Sequence, residues 1–400
     1  MKYEWINNVA NLSNTHTSII FNDRFNDIIK PNILPENLTN LTFGKNFNQK
    51  IEPNILPENL TILTFGRNFN QKIEPNSLPK NLTNLTFGKK FNQKIEPNSL
   101  PKNLTNLTFG YEFNQKIEPN SLSKNLTNLT FGYEFNQKIE LNTLPENLTN
   151  LEFGWRFNQK IKPNILPKNL TSIVFDTYSC NIIAIHNLPE KLTTLVFGYI
   201  FNQKIEPNSL PKSLTTLIFG SIFNQKIEPN SLPEILKSLK FSGNFNQKIE
   251  PNSLPESLTT LIFDSKFNQK IELNSLPESL TNLTFGCKFN QKIDLNILPF
   301  NLKYIEFNWI YMRSYMNMLS HIEMVNNIPG YYDVKIYSSN SITDVDIKWP
   351  IHVCYYDKNY WPSEIYDVID NYTHQIYGDI IVLINKKSYQ PYSSAKSALK

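Results

Sequence analysis

The stretch Leu38-Thr39-Asn40-Leu41-Thr42-Phe43-Gly44-Lys45-Asn46-Phe47-Asn48-Gln49-Lys50-Ile51-Glu52-Pro53-Asn54-Ile55-Leu56-Pro57 decides the fold, because the chain repeats it. Its Phe-Asn pair recurs at Phe25, Phe47, Phe69, Phe91, Phe113, Phe135 and Phe157, then at Phe201, Phe223, Phe245, Phe267 and Phe289. Every step is 22 residues except Phe157 to Phe201, which is 44. A degenerate copy fills that gap: Phe153 reappears at Phe175 and Leu166-Pro167 at Leu188-Pro189, while Ser179 takes the Phe place. A fixed period over this length means a stack of identical supersecondary units, in which added sequence adds coils rather than domains.

Within one unit, Leu41-Thr42-Phe43 alternates apolar and polar, the period of a half-buried strand. Leu38 extends this to L-x-x-L-x-F, a spacing that resembles the strand of leucine-rich repeats. Glycine follows the strand at Gly44, Gly66, Gly88, Gly110, Gly132, Gly154, Gly198, Gly220 and Gly286, where the chain must bend. Phe47 and Ile51 then turn inward, and Leu56-Pro57 leads back to the next strand. Prolines at positions such as Pro53 and Pro57 remove backbone donors and exclude a long helix, so the return path is expected to be irregular or 3₁₀. The expected fold is a leucine-rich-repeat-like solenoid of about thirteen 22-residue coils, with a parallel sheet on one face at ~4.8 Å per strand.

Stacked coils place equivalent side chains in columns. Phe43 with its successors, and Phe47 with Phe69 and Phe91, are expected to form two aromatic columns burying ~150–250 Å² per ring. Asn48, Asn70 and Asn92 are read as an internal amide ladder, satisfying backbone groups as buried polar atoms must. The recurring Lys50 and Glu52 read as a solvated back face whose charges neutralise one another.

At Phe47-Asn48-Gln49-Lys50-Ile51 with Leu56-Pro57, the unit resembles the FNIP repeat, a 22-residue relative of the leucine-rich repeat found in giant-virus and slime-mould proteins. The resemblance covers residues 18 to about 307, and the C-terminal run Lys386-Lys387-Ser388-Tyr389-Gln390-Pro391-Tyr392 also looks like the tail of viral members. It implies a solenoid used for protein interaction, with a host protein as partner and the host cytoplasm as location if the chain is viral. Several members carry an N-terminal F-box that recruits a ubiquitin ligase. Residues 1 to 20 are too few for that three-helix module, so a ligase-pathway receptor would have to recruit through the C-terminal region. Residues 1–17 are read as a lead or cap, 18–307 as the solenoid, 308–385 as a small α/β cap and 386–400 as a disordered tail.

Whole-chain chemistry narrows the function. A formal charge of +4 over 400 residues gives no electrostatic footprint for nucleic acid. Cys180, Cys287 and Cys354 form no CxxC pair, so neither a disulfide framework nor a zinc site is expected. No apolar run reaches the ~18 residues of a spanning helix, and Met1 to Ile20 lacks the apolar core of a signal peptide. Asn37-Leu38-Thr39 and Asn40-Leu41-Thr42 match the glycosylation pattern, but the reading is Asn and Thr used for turns and strand faces in a soluble intracellular monomer. His16, His186, His321, His352 and His374 are scattered, and no nucleophile, acid–base pair, metal set or phosphate loop is present, so no enzyme and no cofactor are expected.

Variation within the array marks what the scaffold leaves free. After the strand-end glycine stand Lys45, Arg67, Lys89, Tyr111, Tyr133, Trp155, Thr177, Tyr199, Ser221, Gly243, Ser265 and Cys287, with Tyr178 one place over. The outward strand position runs Thr42, Thr64, Thr86, Thr108, Thr130, Glu152, Val174, Val196, Ile218, Lys240, Ile262 and Thr284. An exposed aromatic and apolar patch is what a protein-binding face shows, so Tyr111, Tyr133, Trp155, Tyr199, Glu152 and Lys240 are the candidate partner-binding residues. Beyond Phe307 the pattern predicts helices over 314–326 and 363–374 and strands over 332–337, 351–355 and 379–385.

Overall fold

Alternation in Asn40-Leu41-Thr42 yields a strand whose Leu41 is wholly buried while its neighbours stay half-exposed. The computed structural model describes residues 5–6, 15–176, 178, 185–289, 291, 293 and 297–308, together with the strands Asp333–Tyr337, Ile351–Tyr355, Tyr372–Tyr377 and Ile380–Asn385. The chain divides into two units, Met1–Gln203 with Asn208–Ser221, and Lys204–Pro207 with Ile222–Lys400.

In the first unit, strands Ser18–Phe21, Asn40–Thr42, Ile62–Thr64, Asn84–Thr86, Asn106–Thr108, Asn128–Thr130, Asn150–Phe153, Ser172–Phe175, Thr194–Val196 and Thr216–Phe219 follow one another in parallel. Trp5–Ile6 adds a further parallel strand beside Ser18–Phe21. Each residue pairs with its equivalent 22 positions on, as Leu63 does with Leu85. This is the leucine-rich-repeat-like solenoid that the period predicts. The sheet runs through the degenerate copy without a break, since Ser172–Phe175 pairs on both sides.

Three β-turns recur from coil to coil. In the first, Phe47 N–H donates to Gly44 O at 3.3 Å. In the second, Ser77 N–H donates to Glu74 O at 3.1 Å across Pro75-Asn76, and Asn76 has φ 63°. Proline at the second place and a left-handed Asn at the third are the requirements of a type II turn, which explains the recurring Pro-Asn pair. The third turn joins Leu60 N–H to Pro57 O at 3.1 Å. Turns thus do most of the work expected of 3₁₀ backbone; among the described residues Ile185–Asn187 is the 3₁₀ segment in this unit.

The strand-end glycine is dictated by the neighbouring coil. A Cβ on Gly88 would overlap the Gly66 carbonyl oxygen of the preceding coil. Where Asp176 replaces it, the Asp176 amide instead bonds to Phe153 O at 3.1 Å, a different bend.

Inside the coils, Phe43 and Phe47 stack face to face at 3.8 Å, and each stacks on its successor, Phe65 at 5.6 Å and Phe69 at 6.1 Å. Asn48 Oδ1 accepts the Asn70 amide at 2.8 Å and Asn70 Oδ1 the Asn92 amide at 2.9 Å. Gln71 Nε2 donates to Asn48 as well. The Asn column therefore stitches one coil to the next. Two further ladders were not anticipated in detail: Asn81 Nδ2 to Glu58 O at 2.9 Å, and Thr83 Oγ1 to Thr61 O at 3.1 Å. They use the Asn and Thr of the glycosylation-like triplets, and the intervening Leu82 is fully buried. Charged pairs form within a coil, as in Lys116 to Glu118 at 3.1 Å, on side chains about half exposed; such pairs contribute ~0–1 kcal/mol.

In the second unit, Ser238–Phe241, Thr260–Phe263, Asn282–Phe285, Tyr304–Asn308 and Asp333–Tyr337 pair in parallel in that order. Ile380–Asn385 stands between Ile351–Tyr355 and Tyr372–Tyr377 in a three-stranded antiparallel sheet. The helix expected to end at His374 is corrected there: Tyr372, Thr373 and His374 belong to a strand, because antiparallel pairing along Ile380–Asn385 outweighs the local helical signal. The remainder of that helix, the helix over 314–326 and the tail 386–400 lie outside the described residues.

Candidate functional site

The first turn of each coil aims its two central residues outward, since the flanking Gly44 and Phe47 are fixed by backbone contact and burial. That turn therefore carries the variable column. Lys45, Arg67 and Lys89 occupy it on consecutive coils, exposed, and none of them forms a salt bridge among the described residues. Lys89 Nζ sits 4.7 Å from the Tyr111 ring centroid, a cation–π contact that joins the basic run to the aromatic one.

Tyr111 and Tyr133 then stack at 4.5 Å with planes 5° apart, and Tyr133 and Trp155 at 6.3 Å and 8°. Desolvation raises the Tyr111 hydroxyl pKa above its ordinary value, helped by Tyr133 and Glu134. Stacking of this kind spends the ring faces on one another and leaves edges and hydroxyls to solvent. Arg156 anchors the run, bonding Glu134 at 3.1 Å while its guanidinium lies 6.0 Å from the Tyr133 centroid.

At the degenerate copy the parallel stack gives way to a cluster in which Trp155 is tilted while Tyr178 and Tyr199 remain stacked, their planes 24° apart. Trp155 is tilted 30° to Tyr178 and 52° to Tyr199, and the three centroids stand 5.4–5.6 Å apart. Tyr178 is 55% exposed, and Tyr199 at 41% matches Tyr111 at the start of the run. On the adjoining sheet, Val174 pairs with Val196 and Val196 with Ile218, all half-buried. The equivalent position holds threonine from Thr42 to Thr130 and glutamate at Glu152. An apolar strand patch thus lies on the same coils as the open aromatic cluster.

The predicted residues fall into three groups. Tyr111, Tyr133, Trp155 and Tyr199 form one continuous aromatic run with Tyr178. Glu152 lies on the outward strand position beside Val174, accepting from Thr130 Oγ1 at 3.4 Å. Lys240 belongs to the second unit, beside Ile262. Sequence reasoning missed Arg156, whose signal was a charge of opposite sign exactly one period after Glu134. Among the described residues, no group of three His, Cys, Asp or Glu side chains is placed to hold a metal, and no helix is long and apolar enough to cross a membrane. His186 is exposed in its 3₁₀ turn.

Parallel strands at a 22-residue period, closed by turns, define a repeat solenoid of the leucine-rich-repeat type. The chain belongs to the FNIP repeat family, described as "FNIP Repeat", which matches residues 10–46, 47–90, 91–134, 113–154, 135–178, 178–221, 223–266 and 267–308. Among solved structures it is similar to CroV588, a giant-virus protein described as "a novel circular LRR protein structure", at 48% identity and a TM-score of 0.74. That likeness covers 82% of this chain and 47% of CroV588, so the chain spans about half the length of the protein it matches. No curated protein matches.

Proposed function

We propose that this chain is a non-enzymatic interaction scaffold that holds a protein partner on the outward strand face and strand-end turns of its first unit. The observation that carries the reading is the open cluster Trp155, Tyr178 and Tyr199 beside Val174, Val196 and Ile218. From Thr42 to Thr130 the outward strand position is threonine and at Glu152 it is charged, so the apolar strand surface of Val174, Val196 and Ile218 is local and costs hydration. Clustered aromatics rimmed by polar residues such as Arg156 and Glu152 are the composition of interface hot spots. A solenoid suits this role because its strand face offers a long rigid surface on which coils vary independently.

The test is affinity purification from expressing cells with the full chain, the double variant W155A/Y199A and a control, K94A/E96A, on the charged back face. Loss of a specific partner with W155A/Y199A alone, in a chain that still unfolds cooperatively, is the expected result. Identical partners from all three chains would remove the assignment.

A further inference from the structure

The basic run and the aromatic run occupy one column, and their chemistry narrows the ligand. The lysines of the back face almost all have a glutamate two residues on, as in Lys72 with Glu74 and Lys94 with Glu96. Lys45, Arg67 and Lys89 have none, and the nearby Asp23 carboxylate accepts the Lys45 backbone amide at 3.0 Å. Three cations on consecutive coils, none in a salt bridge among the described residues, favour an anionic ligand segment. Farther along, Glu112 and the Arg156-bound Glu134 stand beside Tyr111 and Tyr133, so the negative charge of a ligand must be confined to one end. The rings of Tyr111, Tyr133 and Trp155 have their faces against one another. Single-stranded nucleic acid binds by stacking bases on free ring faces, and a continuous run of phosphates would meet Glu112 and Glu134. A polypeptide fits both facts.

We propose that the strand-end column of the first unit binds an extended peptide segment with acidic residues at one end and aromatic or aliphatic residues at the other. This rests on the scaffold reading above and adds the chemistry of its ligand. The acidic end lies against Lys45, Arg67 and Lys89, and the apolar end against Trp155, Tyr178 and Tyr199. Seven coils separate Lys45 from Tyr199, about 35 Å at ~4.8 Å per strand, which about ten residues of extended chain span.

The test pans a displayed library of random peptides, about twelve residues long, on the immobilised full-length chain. Enriched peptides are then synthesised with fluorescein and titrated against the wild type, K45E/R67E/K89E, W155A/Y199A and K94E, with a fluorescein-labelled oligothymidine of similar length as a second probe. Enriched peptides should carry Asp or Glu at one end and Trp, Phe, Leu or Ile at the other. Each of the two site variants should weaken binding about tenfold or more, K94E should not, and added salt should weaken the wild type more than K45E/R67E/K89E. K45Q/R67Q/K89Q, which removes the charge without reversing it, should weaken binding by a smaller factor. Enrichment without acidic residues, or binding indifferent to charge reversal, overturns the proposal. If W155A/Y199A still abolishes partner capture in that case, the scaffold reading survives and its ligand chemistry does not. Equal or tighter binding of oligothymidine, lost on charge reversal, overturns the peptide assignment in favour of nucleic acid.

Discussion

Two aromatic stacks run through the first unit, one buried and one exposed, and the same interaction has opposite consequences in them. In the regular part of the Phe columns a ring has a ring of its own coil at about 3.8 Å and one from each neighbouring coil, as Phe87 has Phe91 at 3.7 Å, with Phe65 and Phe109 on either side. A change of size there disturbs three contacts at once, so the residue hardly varies from copy to copy. In the strand-end column Tyr111, Tyr133 and Trp155 also stack, but solvent takes up any change, and the same column holds Lys45 and Ser221. Burial, and not stacking as such, enforces the repeat.

The largest test of that contrast is Phe113→Ala, expected to lower the unfolding free energy by about 3–5 kcal/mol in denaturant titration, through lost burial and a cavity in the column. A cost under about 1 kcal/mol would mean the stack closes up. Gly88→Ala comes next, at about 1–3 kcal/mol, because its Cβ must displace the Gly66 carbonyl. An unchanged midpoint there would show that this bend converts readily to the form seen at Asp176. Tyr133→Ala, in the exposed stack, should cost no more than about 1 kcal/mol; a loss matching Phe113→Ala would erase the distinction between the stacks. The smallest effect separates two buried hydroxyls. Ser99 Oγ donates to Glu96 O at 2.8 Å, whereas Ser121 Oγ has no partner among the described residues. Ser99→Ala should cost about 1 kcal/mol and Ser121→Ala nothing, by thermal unfolding of both variants.

Much of this was legible in the chain. Period-two alternation at Asn40-Leu41-Thr42, a bend at Gly44 and the 22-residue step led to the parallel strands and their register, because in a repeat each local signal is stated many times over. The candidate column was legible for the complementary reason: Tyr111, Tyr133 and Trp155 vary where their neighbours do not. The end of the predicted helix at Tyr372–His374 was misread, since a single copy of a weak helical pattern carries no information about the strand that pairs with it. The Asn48 ladder was read as an amide for backbone groups, but its acceptor role toward the next coil emerged only when Asn70 stood above it.

What the sequence determined by itself was the unit: one strand, a glycine bend, a Pro-Asn turn and inward Phe, Ile and Leu, all set by short-range sterics and hydrophobic periodicity. What only the tertiary structure decided was how equivalent residues meet across 22 positions. The glycine is required by a carbonyl of another coil, Arg156 reaches Glu134, and the aromatic run is stacked face to face until Trp155 tilts against Tyr178 and Tyr199. Distances and ring tilts between coils depend on how neighbouring backbones settle against each other, and no single repeat encodes that.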